Sequence, residues 1–243
     1  MKLKAFSVRV SKEIVRDPLT LGFGLGFPVV LLLLLSAIQA KIPVDLFAID
    51  RLAPGITVFG LTFISLFSAT LIAKDRESAF LQRLYATPMK ATDFILGYTL
   101  PFIPISVAQS AICYLLAICL GLKPTVNILL TLLSVIPLSL LFTGFGLMCG
   151  SIFSVKQVGG ICGALFTNLT AWLSGIWFDL SLIGGIFERI AKILPFYHAV
   201  NFEQGIISGG LGNFLVDLAI IAAYTLIILA LAVFFFLRQM KNR

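Results

Sequence analysis

Apolar residues in this chain come in long runs, without the alternation or the three-and-four spacing of a water-soluble fold. Leu19–Ala40, Leu52–Ala73, Phe94–Leu122, Val126–Val155, Val158–Ile186 and Asn213–Leu237 are nearly free of charge, with Asp179 and Asp217 close to run ends. Each matches or exceeds the roughly 20 residues that a helix needs to cross the hydrocarbon of a bilayer. The pattern predicts an all-α integral membrane protein with six transmembrane helices. Between the fifth and sixth runs, Phe187–Ser208 is apolar but broken by Glu188, Arg189, Lys192, Pro195, His198 and Glu203. A further crossing would put these charges in lipid at about 2.5–3.5 kcal/mol each on insertion scales. Residues 187–208 are therefore expected to form a re-entrant hairpin on the outer side.

Two shorter segments carry the helical period. In residues 1–18, Leu3, Phe6, Val10 and Ile14 form one stripe at about 100° per residue, with Lys2, Arg9, Lys12 and Arg16 opposite. That predicts an amphipathic helix on the inner leaflet, ended by Asp17-Pro18. Pro101, Pro104 and Pro137 are expected to kink the third and fourth spans. No stretch has linker composition, so residues 1–243 read as one domain.

Composition agrees. Hydrophobic residues make up 59% and charged residues 12%, and the mean hydropathy is +1.06. So few charges cannot clothe a water-soluble domain of this size. The net charge of +7 raises nucleic acid as a partner, but its distribution points to the bilayer. With six spans and both termini in the cytoplasm, the inner segments hold Lys2, Lys4, Arg9, Lys12, Arg16, Lys74, Arg76, Arg83, Lys90, Lys156, Arg238, Lys241 and Arg243. The outer segments hold only Lys41, Arg51, Lys123, Arg189 and Lys192. This is the positive-inside bias, and no nucleic-acid partner is expected. Leu19–Ala40 reads as a retained first span, not a signal peptide.

Catalytic signatures are missing. There is no Gly-Lys pair, hence no phosphate-binding loop, and no GxSxG elbow. The single histidine, His198, rules out an HExxH zinc site. The four cysteines sit inside apolar runs without metal-ligand spacing and read as small packed hydrophobes. Neither enzyme activity nor a cofactor of the chain's own is expected.

The most charged stretch runs from Lys74 to Asp93. As a helix, residues 74–90 place Phe80, Leu81, Leu84 and Tyr85 on one face, with Asp75, Arg76, Gln82 and Arg83 on the other, and Thr87-Pro88 ends it. Such a helix can lie on the membrane or present its face to a cytoplasmic partner. The segment resembles the second-to-third span loop of the ABC type-2 transporter permease family, approximately E-R-E-[RK]-G-T-L-E-x-L-x-x-T-P. Asp75, Arg76, Glu77, Leu81, Leu84, Thr87 and Pro88 match it, whereas Ser78, Ala79 and Phe80 depart from it. The order of elements and the Leu194-Pro195-Phe196-Tyr197 segment extend the likeness over nearly the whole chain.

The resemblance implies a permease subunit that pairs as a homodimer or a paralogous heterodimer and docks on a separate ATP-binding cassette ATPase. ATP and Mg would then reside on that partner. It also implies that the loop is a cytoplasmic coupling helix. Glu77, Leu81 and Leu84 would enter a groove of the ATPase, and Arg76 or Arg83 would pair with acidic groups around it.

A stripe of small residues on the fifth span (Gly160, Gly163, Ala164, Thr167, Ala171 and Ser174) and the Gly22–Gly26 pair on the first would let helices approach closely. The resemblance puts both at a dimer axis; packing within one subunit is the other reading. Gln109 and Asn168 are polar residues in mid-span, candidates for a substrate path or for interhelical hydrogen bonds.

Together these readings give an exporter permease in a bacterial plasma membrane, moving a drug, an antimicrobial peptide or a lipid-like amphiphile outward. A lipid-linked polysaccharide is the alternative cargo. A carrier or channel working without ATP is the alternative class, and it lacks the ionisable residues expected at span centres.

Overall fold

A computed structural model of the chain describes residues 2–43, 45–78, 80 and 91–241. In chain order the helices are α1 (Lys2–Val15), α2 (Gly22–Gln39), α3 (Ile49–Glu77), α4 (Ala91–Thr99), α5 (Phe102–Cys119), α6 (Val126–Ile152), α7 (155–173), α8 (Gly185–Ile193), α9 (Pro195–Ser208) and α10 (Phe214–Lys241). Among the described residues, five stretches are long and apolar enough to cross a membrane: α2, α3, α4 with α5, α6 and α10.

The segment read as the fifth span is shorter than expected. α7 joins Val155–Val158, Gly159–Phe166 and Thr167–Leu173 end to end, and its middle piece is π-helical. Lys156, Gln157 and Asn168 dilute its apolar character. It stops at Leu173 instead of running on to Ile186, because Ser174 and Gly175 turn the chain, with Gly175 at φ 78°. Few side chains tolerate that left-handed conformation. Leu100 and Pro101 separate α4 from α5, as expected of a proline that lacks an N–H. Pro137 sits inside α6 without interrupting it.

α3 is the central helix, with 78% of its most apolar window buried. α6 comes close enough to it that a Cβ on Gly146 would collide with Ser68 and the Ser65 carbonyl. One on Gly150 would collide with the Ala69 backbone. Small residues at this spacing let two helices touch along their backbones.

The stripe on α1 is buried in protein instead of facing lipid. Phe6, Val10 and Ile14 are all buried, and the Phe6 ring meets Phe94 at 5.8 Å and Tyr98 at 4.9 Å, both edge-on. Gly97 leaves the notch that Phe6 fills. Aromatic edges and an empty notch on α4 offer closer packing than mobile acyl chains.

At the other end of the bundle, α8 and α9 form a hairpin. Phe196, at the start of α9, packs against Phe142, Phe145 and Phe166 at 6.3, 5.9 and 5.3 Å. The far end of α9 offers the Ile207 carbonyl to Asn127 Nδ2 at 3.4 Å. α9 therefore runs antiparallel along α6, from Phe145 back to Asn127.

Replacing Gly146 with Val should cost about 1–3 kcal/mol by overpacking the α3–α6 contact, whereas Gly212→Ala, where a Cβ meets nothing, should not. Thermal unfolding in detergent measures the difference.

Candidate functional site

Three consecutive residues at the last turn of α3 each fasten a different part of the chain. Asp75 is 3% exposed and takes both guanidinium nitrogens of Arg9 from α1, at 2.5 and 2.6 Å. It also accepts the Tyr98 hydroxyl of α4 at 2.7 Å. Arg9 pairs in addition with Glu13 at 2.8 Å and stands 3.9 Å over the Phe80 ring. Burial opposes the charge on Arg9. The hydrogen bonds and field of Asp75, then Glu13 and Tyr98, outweigh it and hold the guanidinium above its ordinary value.

Arg76 donates to the carbonyls of Ser151 and Phe153, both at 2.5 Å, which lie in the last turn of α6 and just past it. Glu77 accepts the N–H of Val155, the first residue of α7, at 3.0 Å. The end of one helix leaves bare carbonyls and the start of the next leaves bare N–H groups, with partial charges of opposite sign. Adjacent residues of opposite charge satisfy one each. Ser154 and Gln157 complete the start of α7 as a capping box.

Residues 74–77, expected in a separate loop helix, thus continue α3, which Ser78 terminates. Arg76, half-buried, and Glu77, exposed, bond to the junction between α6 and α7. Leu81, Arg83 and Leu84, like most of the segment expected to be the coupling helix, lie outside the described residues.

The small-residue stripe on α7 divides. Ala171 and Ser174 are buried and Gly163 packs on Leu66 of α3, so this part faces the chain's own core. Thr167 is half-buried and donates to the Cys162 carbonyl at 3.0 Å. Gly160, Ala164 and Asn168 are exposed, and Asn168 donates to the Ala164 carbonyl at 2.8 Å. The π-helical turns advance the face and break the straight stripe that α-helical spacing predicts. On α2, Gly22–Gly26 is π-helical too, and a Cβ on Gly22 or Gly26 meets nothing within 4 Å.

Gln109 is fully buried between α3 and α5, its amide filling the notch at Gly60 and reaching the Thr57 carbonyl at 3.4 Å.

Sequence reading missed two polar clusters at the hairpin end. Both ring nitrogens of His198 face oxygen acceptors, Asp217 of α10 at 2.7 Å and the Lys192 carbonyl at 2.8 Å, while Asn201 donates to the other Asp217 oxygen at 2.5 Å. Glu203 of α9 is fully buried between Tyr114 of α5 and Ser134 of α6.

Membrane-length helices packed around one buried helix, with a short polar foot lashed to its neighbours, define a multi-pass membrane protein built around one loop. Residues 1–207 match the family described as ABC-2 type transporter. The chain belongs to that family and is a multi-pass permease of the ABC transporter class. It is 27% identical over 170 residues to ABC transporter G family member 20 of Dictyostelium discoideum, which covers 68% of this chain. The chain spans only 23% of that relative's length.

Asp75→Asn should strip Arg9 of its buried ionic partner, leaving only Glu13, and cost about 1.5–3 kcal/mol, the range for a hydrogen bond to a charged group. The unfolding midpoint in detergent should fall accordingly, while Lys12→Ala, on the exposed face of α1, should leave it unchanged.

Proposed function

We propose that the chain is the permease subunit of an ATP-driven exporter that crosses a bacterial plasma membrane six times with both termini in the cytoplasm. In this reading α7 is a crossing too, the fifth of six in chain order, and α8–α9 is re-entrant from the outer side. ATP and Mg bind to a separate cassette ATPase, which docks on the loop after α3 through Leu81, Leu84 and Arg83. Its stroke enters the bundle through Asp75, Arg76 and Glu77.

The observation that carries the proposal is this foot. A loop that only rested on lipid would need no bonds to α1, α4, α6 and α7 at once. A loop that transmits a push needs all of them. Arg76 and Glu77 then act as transmission, with the docking itself left to the apolar face beyond them. The depth at which Phe196 meets α6 supports the re-entrant hairpin.

A second permease copy, identical or paralogous, would cover the open glycines of α2 and the exposed Gly160, Ala164 and Asn168 of α7. The cargo is an amphiphile: a hydrophobic drug, an antimicrobial peptide or a lipid-like molecule. Apolar and small span surfaces favour it, and a lipid-linked polysaccharide is the alternative. Asn168, on the exposed face of α7, is then placed to meet either the second copy or the cargo.

Two expected outcomes test this. Cysteines at Ser78 and Arg243 should be labelled only from the cytoplasm, and those at Asp45, Lys123 and Lys192 only from outside; labelling of Ser78 from outside would sink the coupling role. In liposomes with the separate ATPase, Leu84→Asp should reduce co-purification about a hundredfold, some 2.8 kcal/mol at 1.4 kcal/mol per decade. Arg76→Ala should keep the complex but lower transport per ATP hydrolysed. Equal loss of assembly in both variants would place Arg76 in the docking face.

A further inference from the structure

Glu203 presents a problem in proton counting. It is 0% exposed, and its bonds run to two hydroxyls: Tyr114 to Oε2 at 3.0 Å and Ser134 to Oε1 at 2.5 Å. Ser134 Oγ also lies 2.7 Å from the Thr131 carbonyl, which can only accept. A hydroxyl has one proton, so Ser134 cannot donate to the carbonyl and to Glu203 together. Both contacts become hydrogen bonds when Glu203 itself carries a proton and donates to Ser134 Oγ. Ser134 then donates to Thr131, and Tyr114 donates to the remaining carboxyl oxygen.

The surroundings agree with that count. A carboxylate buried without a cation costs several kcal/mol, and such groups neutralise instead. The charged groups around α9 are committed elsewhere or stand at its ends. His198 of α9 itself is bound to Asp217 of α10. Glu188 and Lys192 of α8 pair with each other at 2.6 Å, and Arg189 is exposed. On α3, Asp50 and Arg51 lie in its first turn, where the Arg51 carbonyl takes Gln204 Nε2 at 3.0 Å. Among the described residues, α6 brings the Ser134 hydroxyl to Glu203 and α5 the Tyr114 hydroxyl.

We propose that Glu203 is a proton-binding site that latches the α8–α9 hairpin onto α5 and α6. Seated, it is the neutral acid that donates to Ser134. When the proton leaves to water at the hairpin end, the carboxylate is stranded among hydroxyls and the hairpin swings out to hydrate it. Reprotonation reseats it. The hairpin is thus a gate whose closed state binds one more proton than its open state, a property separate from ATP coupling at the other end of the bundle.

The test uses the full chain in lipid nanodiscs and needs no ATPase, so it stands or falls apart from the exporter reading. Infrared spectroscopy of the parent should show a carboxylic-acid carbonyl band at neutral pH that Glu203→Gln lacks and that disappears on alkaline titration. Spin labels at Ser208→Cys and Lys123→Cys, on a background free of the native cysteines, should move apart in step with that loss. In Glu203→Gln their distance should stay fixed over the same range. Absence of the band at neutral pH overturns the proposal. So does a pH-dependent distance that persists in Glu203→Gln, which would assign the movement to His198 and Asp217. If the Gln variant does not assemble, Ser134→Ala decides: removing the acceptor should shift the acid band to higher frequency, and an unmoved band overturns the assignment.

Discussion

Helix ends and charges face the same constraint in a membrane. Both carry polar groups that hydrocarbon cannot satisfy, so both have to be settled where the lipid stops. In this chain the two demands are met by each other at Asp75, Arg76 and Glu77. Arg76 meets the carbonyls at the end of α6, Glu77 meets an N–H at the start of α7, and Asp75 neutralises Arg9 while taking the Tyr98 hydroxyl. The bonds to buried Asp75 contribute about 1.5–3 kcal/mol each, and the exposed Glu77 bond, screened by water, contributes less. The mechanical result follows from α3 being largely buried. Four neighbouring elements are tied to the foot of the helix that all of them surround, so displacing that foot displaces the set.

The opposite end is held by a different chemistry. Its fastenings are Glu203 with two hydroxyls and the His198, Asp217 and Asn201 cluster. An arginine keeps its charge at any physiological pH, so the Arg9 and Arg76 contacts are permanent. Glu203 has no arginine beside it to hold a charge, so in the proposed latch its bonds depend on its proton. A bundle fastened through two arginines at one end and, on that proposal, through a protonated carboxyl at the other has its conditional end at the α8–α9 hairpin.

Much of this was legible in the chain. Five of the six apolar runs gave membrane-length helices, the period of residues 1–18 gave α1, and Pro101 gave the break between α4 and α5. The rest was hidden for identifiable reasons. An amphipathic stripe states that a helix buries one face but not against what, and for α1 the answer was Gly97, Phe94 and Tyr98. The Asp75-Arg76-Glu77 motif marked residues of consequence. Sequence could not say whether they addressed a partner or the chain's own loops some 75 residues away. Glu203 looked like one charge in a polar hairpin, because its partners lie 69 and 89 residues earlier. The α3–α6 contact was missed because Gly146 and Gly150 sit in a uniformly apolar run, where nothing distinguishes a packed face from an open one.

The two π-helical stretches carry the argument one step further. A glycine in a helix interior costs roughly 1 kcal/mol relative to alanine, and π turns are rare outside functional sites. At Gly146 and Gly150 the cost is offset by close packing on α3. At Gly22, Gly26, Gly159 and Gly160 nothing among the described residues comes within 4 Å of where a Cβ would stand. Those four lie on the two π segments, and only 17% of the apolar window of α2 is buried. Lipid tails would pack as well against alanine, so the isolated chain gains nothing from glycine there. The cost would be recovered by another helix approaching as closely as α6 approaches α3, which is the place proposed for a second permease copy.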